Sequence, residues 1–222
     1  MAASTTANDY QPNALPASPK CVGTMKVKSY YCPSDYTYDQ GTGVSLANVA
    51  SDNQNLSGGY ATSTSYRANA QVLGANVDPT TYEPATGQGA ANFASTIRDG
   101  LSNTIVIVES LATCGEVVGD HSGATLWSRS SGGGFMSGNW GPFVQFKNGN
   151  AGPAVNPPFQ VNPKPYTDPT VCIRQRPSTP HTGIIVVGLC DGSVRTVSAG
   201  ISPLTWWQAC TPAGGEVLGT DW

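Results

Sequence analysis

Residues 183–198, GIIVVGLCDGSVRTVS, set two apolar, β-branched runs on either side of Asp191-Gly192. A string of this kind commits the chain to a β-hairpin. Asp-Gly supplies the positive φ angles of a tight type I′ turn, and the flanking runs supply strand propensity. A two-residue loop pairs Cys190 with Ser193, Gly188 with Arg195 and Val186 with Val197. Strand 184–190 is apolar on both faces and is expected to be buried on both. Thr104 to Glu109 (TIVIVE) reads the same way and predicts a central strand. After the hairpin, Ser202-Pro203 has the form of a helix N-cap with proline at the first helical position, predicting a helix to about Cys210. The fold class expected is mainly β, or α+β at most: an antiparallel sheet with long Gly/Pro-rich loops and one or two short helices.

Composition explains why helices should be few. Only 11% of the 222 residues are charged, against about 25% in an average soluble domain, and exposed helix faces need Lys, Glu and Arg. The 26 Gly and 17 Pro favour turns and loops instead. A net charge of −3 argues against a nucleic-acid partner, which calls for a basic face. Weaker elements follow. Met25 to Tyr31 alternates as a short strand and turns at Pro33-Ser34-Asp35. Thr64 to Asn69 and Ala124 to Ser128 are further strands, with a helical turn near 46–49. Residues 1–24 read as an extended lead-in. Residues 25–222 read as a single β-rich domain with a long loop insertion near 130–170.

Cys21, Cys32, Cys114, Cys172, Cys190 and Cys210 are widely spaced, with no C-x-x-C pair. That excludes a zinc ribbon or a thioredoxin-type site, and it makes all six disulfide candidates in an oxidising compartment, with at least two bridges expected. Sequence does not choose among the 15 connectivities. No apolar run approaches the ~20 residues of a membrane-spanning helix, so no membrane contact is expected of this chain. The polar first twenty residues hold no export signal. The simplest reading is that the chain starts after a removed signal or anchor, with Met1 added for expression.

Candidate sites are weighed against plainer roles. His181 and Asp191 invite a catalytic reading, but nine extended residues separate them by ~30 Å. Within one hairpin they do not meet, so Asp191 is expected to form the turn and His181 to satisfy backbone groups at the other end. No G-x-S-x-G elbow occurs, and Gly119-Asp120-His121-Ser122-Gly123 is only superficially like one. A zinc hydrolase would need H-E-x-x-H or a third histidine. No cofactor is expected. Ca²⁺ is the cation that loop oxygens would suit, but no D-x-D-x-D-G loop exists to name its ligands. Asp99, Ser102, Asn103 and Glu109 are read as fixing a turn and ending a strand. Trp127, Phe135, Trp140, Phe143 and Phe146 belong to an aromatic, Gly-rich region that either tucks into the core or binds a glycan or partner.

Four blocks occur in order: Tyr31-Cys32-Pro33-Ser34-Asp35; DGLSNTIVIVE, with Asp99, Gly100, Ser102, Asn103, Thr104 and Glu109; His181 followed after nine residues by Asp191-Gly192; and Gly214-Gly215-Glu216-Val217. The set resembles a bacterial family of prepilin-type, pseudopilin-like surface proteins with a C-terminal domain of unknown function marked by H-x9-D-G. The resemblance covers about Met25 to the C-terminus. It implies a pilin-like globular head at the cell surface, in the periplasm or outside the cell. It also implies a structural rather than enzymatic role in a filament or type II secretion assembly. Partners would be other pilin-like subunits, or copies of the chain, joined through an apolar N-terminal helix that this sequence lacks. The alternative is a secreted ligand-binding module, with glycan as first guess.

Overall fold

The computed structural model describes residues 27–37, 64–73, 75–77, 84–86, 93–114, 143–144, 154–163, 172–173 and 176–222. In chain order the elements are β1 (Tyr66–Asn69), α1 (Ala70–Leu73), β2 (Ala75–Val77), β3 (Pro84–Thr86), α2 (Phe93–Thr96), β4 (Ile105–Glu109), β5 (Phe143–Val144), β6 (Gln160–Val161), β7 (Ser178–Thr179), β8 (Ile184–Leu189), β9 (Val194–Ser198) and α3 (Pro203–Cys210). Four antiparallel strands in the order β1-β4-β8-β9 make the main sheet, and β5 joins β1 in parallel at its outer edge. The antiparallel pair β2–β3 and the parallel pair β6–β7 are separate. The chain is thus mainly β with short helices, as its pattern predicts.

Along β8, Ile185, Val187 and Leu189 are buried while Ile184 is 37% exposed. The strand therefore buries one face, not both. Its hairpin also differs from the expected register. Gly188 pairs with Val194 and Ile185 with Val197. The Leu189 carbonyl accepts the Gly192 amide, and the Leu189 amide donates to the Ser193 carbonyl. The loop is thus three residues, Cys190-Asp191-Gly192, closed by a turn with Gly192 at φ +86°. A type I turn followed by a left-handed glycine makes this bulged hairpin. The one-residue shift exchanges which cross-strand side chains share a face. Asp191 holds the loop by accepting from the Ser193 amide at 2.9 Å and its hydroxyl at 2.6 Å.

A bulge does similar work on β4. The β4–β8 register shifts between Ile105 and Ile107. Residues three apart would face opposite sides of a regular strand, yet Ile105 and Val108 are both buried in the same core cluster. The extra residue turns both inward, leaving Ile107 exposed on the outer face. α3 closes the inner face with Trp206, Trp207, Ala209 and Cys210, and Phe159 packs against Trp206 in a tilted arrangement at 5.2 Å between ring centroids. The helix starts where its cap predicts: Ser202 Oγ accepts the Thr205 amide at 3.1 Å, and Pro203 fills the first position.

The tail folds back onto that helix start. Asp221 accepts the Ser202 amide and the Thr205 hydroxyl, each at 2.6 Å. These bonds hold the Asp221 carboxyl below its ordinary value of 3.8, as the Ser193 bonds do for Asp191. A carboxyl whose pKa is depressed by folding stabilises the fold above its unfolded pKa and loses that contribution as pH falls through the folded value. Melting temperature is therefore expected to drop as pH is lowered below 3.8. Asp221→Asn should flatten part of that drop in a series of thermal melts.

Two expectations are corrected here. Of the strand expected over 25–31, the described residues from Val27 on form none: Lys28–Tyr30 is one 3-10 turn, whose end is tied when the Tyr30 carbonyl accepts the Ser65 amide. Tertiary bonding outweighs the weak local alternation. Nor do the described cysteines form the expected second bridge. Cys114 and Cys172 are bridged, but Cys32, Cys190 and Cys210 remain thiols. They lie in three different places: the turn before Asp35, the hairpin loop and the end of α3. A low-charge, exported style of composition does not decide which thiols come within bonding range. Cys21, the lead-in, the turn near 46–49, the strand at 124–128 and most of 130–170 lie outside the described residues.

Candidate functional site

The four sequence blocks converge in pairs. At one end of β4, the Asp99-Gly100 turn docks on the hairpin loop and on the tail. Gly100 has φ +102° and its carbonyl accepts the Asn103 amide. Asp99 receives the Gly214 and Gly215 amides, one on each oxygen, at 2.8 Å. The Asn103 side chain donates to the Asp99 carbonyl and the Thr104 hydroxyl to the Gly100 carbonyl, while Ser102 is exposed. The Thr104 and Leu101 carbonyls then accept the Cys190 and Asp191 amides. The SNT segment thus holds the hairpin's DG loop.

At the other end of β4 stands Glu109, 2% exposed. The β4–β8 ladder closes at Val108–Val187, and the next amide, Val186, donates to Glu109 Oε2 at 3.0 Å. The Thr179 hydroxyl gives Oε2 a second bond at 3.0 Å, and the same hydroxyl accepts the His181 amide. Oε1 faces His181 Nε2 at 3.1 Å. That nitrogen also lies 3.7 Å from Cys32 Sγ. Cys32, Glu109 and His181, each from a different block, are thus gathered with their donor atoms within 4.8 Å of one another. The His181 ring therefore meets a carboxylate and a thiol rather than the backbone groups expected of it.

The trio is not arranged as a thiol nucleophile and its base. A relay uses one ring nitrogen for the thiol and the other for the orienting group. Here Nε2 faces both. Burial, opposed by the Ser34 amide and reinforced by Glu109, also pushes the Cys32 thiol above its ordinary pKa. A raised pKa leaves less thiolate to attack.

Beside this cluster, Asp35 is buried and fully engaged. Oδ1 accepts the Thr37 amide and hydroxyl, and Oδ2 accepts the Ser65 hydroxyl and the Ala112 amide, all between 2.7 and 2.9 Å. The CPSD turn, closed by the Asp35 amide on the Cys32 carbonyl, is in this way fastened to the ends of β1 and β4. Asp191 and His181 sit at opposite ends of β8. Asp99 and Glu109 sit at opposite ends of β4, so those carboxylates do not converge on one cation. Gly119–Gly123 and the aromatics Trp127, Phe135, Trp140 and Phe146 lie outside the described residues, and of Phe143 only its place in β5 is described. Among the described residues, no helix is long and apolar enough to cross a membrane. The Cys114–Cys172 bridge fits an oxidising, extracytoplasmic setting.

The molecule is a mainly β protein whose ordered motif blocks tie one sheet together at both ends of its central strand. The chain belongs to the family described as "Protein of unknown function (DUF1559)", whose model matches residues 2–204. No curated protein and no solved structure matches it.

Proposed function

We propose that this chain is the non-catalytic head of a pilin-like surface or filament protein of the type IV pilin and type II secretion pseudopilin kind. One observation carries the reading: the motif carboxylates serve as internal ties. Asp35, Asp99, Glu109 and Asp191 each accept at least two hydrogen bonds from the chain's own amides or hydroxyls. Residues bound in this way shape a rigid head rather than turn over a substrate. The sheet's outer face supports the same reading. Ile107, Ile184 and Val194 are exposed there, and a trough of about 710 Å³ runs between Tyr30, Tyr66 and Val194. An apolar surface of that kind suits packing against neighbours, and scarce charge leaves little repulsion to oppose it.

The test is to express the chain alone and with an apolar pilin-type N-terminal helix, together with the processing peptidase. Fractionation and electron microscopy should find the longer form membrane-associated or filamentous. The chain alone should show no turnover of esters, peptides or glycosides. A longer form that stays a free monomer, or a defined sugar bound at micromolar affinity by the head, would replace this reading with the ligand-binding one.

A further inference from the structure

We propose that Cys32, His181 and Glu109 form a site for one divalent transition-metal ion, with Zn²⁺ the best match to the donors. The site is independent of the filament reading. One thiol, one imidazole and one carboxylate make a mixed S/N/O set that suits Zn²⁺, whereas Ca²⁺ and Mg²⁺ take oxygen throughout. The spacing agrees as well. Zinc bonds of about 2.0–2.3 Å at tetrahedral angles set donor atoms about 3.3–3.6 Å apart. Two edges lie close to this, 3.1 Å for Glu109 Oε1 to His181 Nε2 and 3.7 Å for Cys32 Sγ to the same nitrogen, and all three donor atoms fall within 4.8 Å of one another, so a small inward shift brings them to bonding range.

The surroundings hold the donors in place. Glu109 Oε2 is occupied by Thr179 and Val186, which leaves Oε1 to bind in a single, fixed orientation. The Ser34 amide faces the Cys32 sulfur. Outer bonds of this kind orient ligands and raise affinity. Glu109 and Cys32 are buried, and the His181 side chain is 30% exposed, so the fourth position opens to solvent on the histidine side and takes water. The ion would join three segments separated by 72 and 149 residues. It accounts for a Cys, a His and a Glu from different motif blocks meeting at one point.

The experiment uses the whole chain without a histidine tag, stripped with chelator and then titrated with Zn²⁺ or Co²⁺. About one equivalent should bind. The Co²⁺ form should show a thiolate-to-metal charge-transfer band. Cys32→Ser and His181→Ala should each weaken binding by at least about 100-fold, more than the ~10–100-fold of an outer-shell loss, and Thr179→Val by about 10-fold. Cys190→Ser should leave binding unchanged. Absence of stoichiometric binding, or a Co²⁺ complex lacking the charge-transfer band, overturns the proposal. The stoichiometry and the band are read on the unmodified chain, so they decide the matter even if a ligand variant fails to fold.

Discussion

Replacing Cys114 and Cys172 together by alanine should lower the stability of the fold by about 4 kcal/mol. The bridge spans a sequence separation of 58, and the chain-entropy cost of closing a loop of that length in the unfolded state is about 4 kcal/mol at 25 °C. Both sulfurs are in the interior, Cys114 at 0% and Cys172 at 1% exposure, packed with the equally buried Leu111. For a chain of this size each kcal/mol moves the melting temperature by about 2–4 °C, so a fall of roughly 8–16 °C is expected by calorimetry. Burial adds a kinetic signature. A reductant must reach a sulfur to attack it, so mild reductant at neutral pH should leave the bridge intact in the folded chain and act only once denaturant opens it. A double variant melting within about 2 °C of the parent would mean that the bridge constrains nothing.

Local signals of the sequence were legible; distant ones were not. α3 could be read to the residue because its cap is local: Ser202 and Pro203 set the start within four residues of chain. The β-branched runs likewise identified β4 and β8, the centre of the sheet. The hairpin shows where local reading stops. Asp191-Gly192 signalled the turn, but a two-residue and a three-residue loop use the same pair of residues. The choice fell to which strand face meets α3. Burying Ile185, Val187 and Leu189 under Trp206 and Trp207 selects the bulged loop. The bulge in β4 has the same origin, since it lets Ile105 and Val108 share a face that a regular strand would divide between them.

The cluster of Cys32, Glu109 and His181 was visible only as three motif residues in separate blocks. A hairpin fixes only one distance from sequence, that between His181 and Asp191 at the two ends of its first strand. The partners that His181 has are 72 and 149 residues away, and their meeting depends on where the β4–β8 ladder ends. A useful signal was present in retrospect: Glu109 closes an otherwise apolar β-branched strand. A carboxylate at that position, if buried, has to find amides, hydroxyls or a cation.

The second large effect is expected at Asp35. Its carboxylate is 1% exposed and accepts four hydrogen bonds from three segments: the amide and hydroxyl of Thr37, the hydroxyl of Ser65 and the amide of Ala112. Asp35→Ala leaves those four donors without their acceptor. Two are main-chain amides at buried positions, and each such loss costs ~1–3 kcal/mol before any relaxation. A total of about 3–5 kcal/mol is expected, the range for removing one member of a buried charged network. Asp35→Asn separates shape from charge. The amide keeps the volume and one acceptor oxygen but points an NH₂ donor at two of the existing donors, so it should cost less, about 2–3 kcal/mol. Thr37→Val tests the same network from its other side, because the Thr37 hydroxyl also accepts the Thr113 amide at 2.9 Å. The variants are compared by urea denaturation followed through the Trp206 and Trp207 fluorescence. If Asp35→Ala shifts stability by less than about 1 kcal/mol, water reaches these donors and the CPSD turn is not the clamp between β1 and β4 that the geometry describes. If instead Asp35→Ala and Thr37→Val together cost clearly less than their separate effects added, the shared network is real, since residues joined in one hydrogen-bonded unit lose its contribution only once.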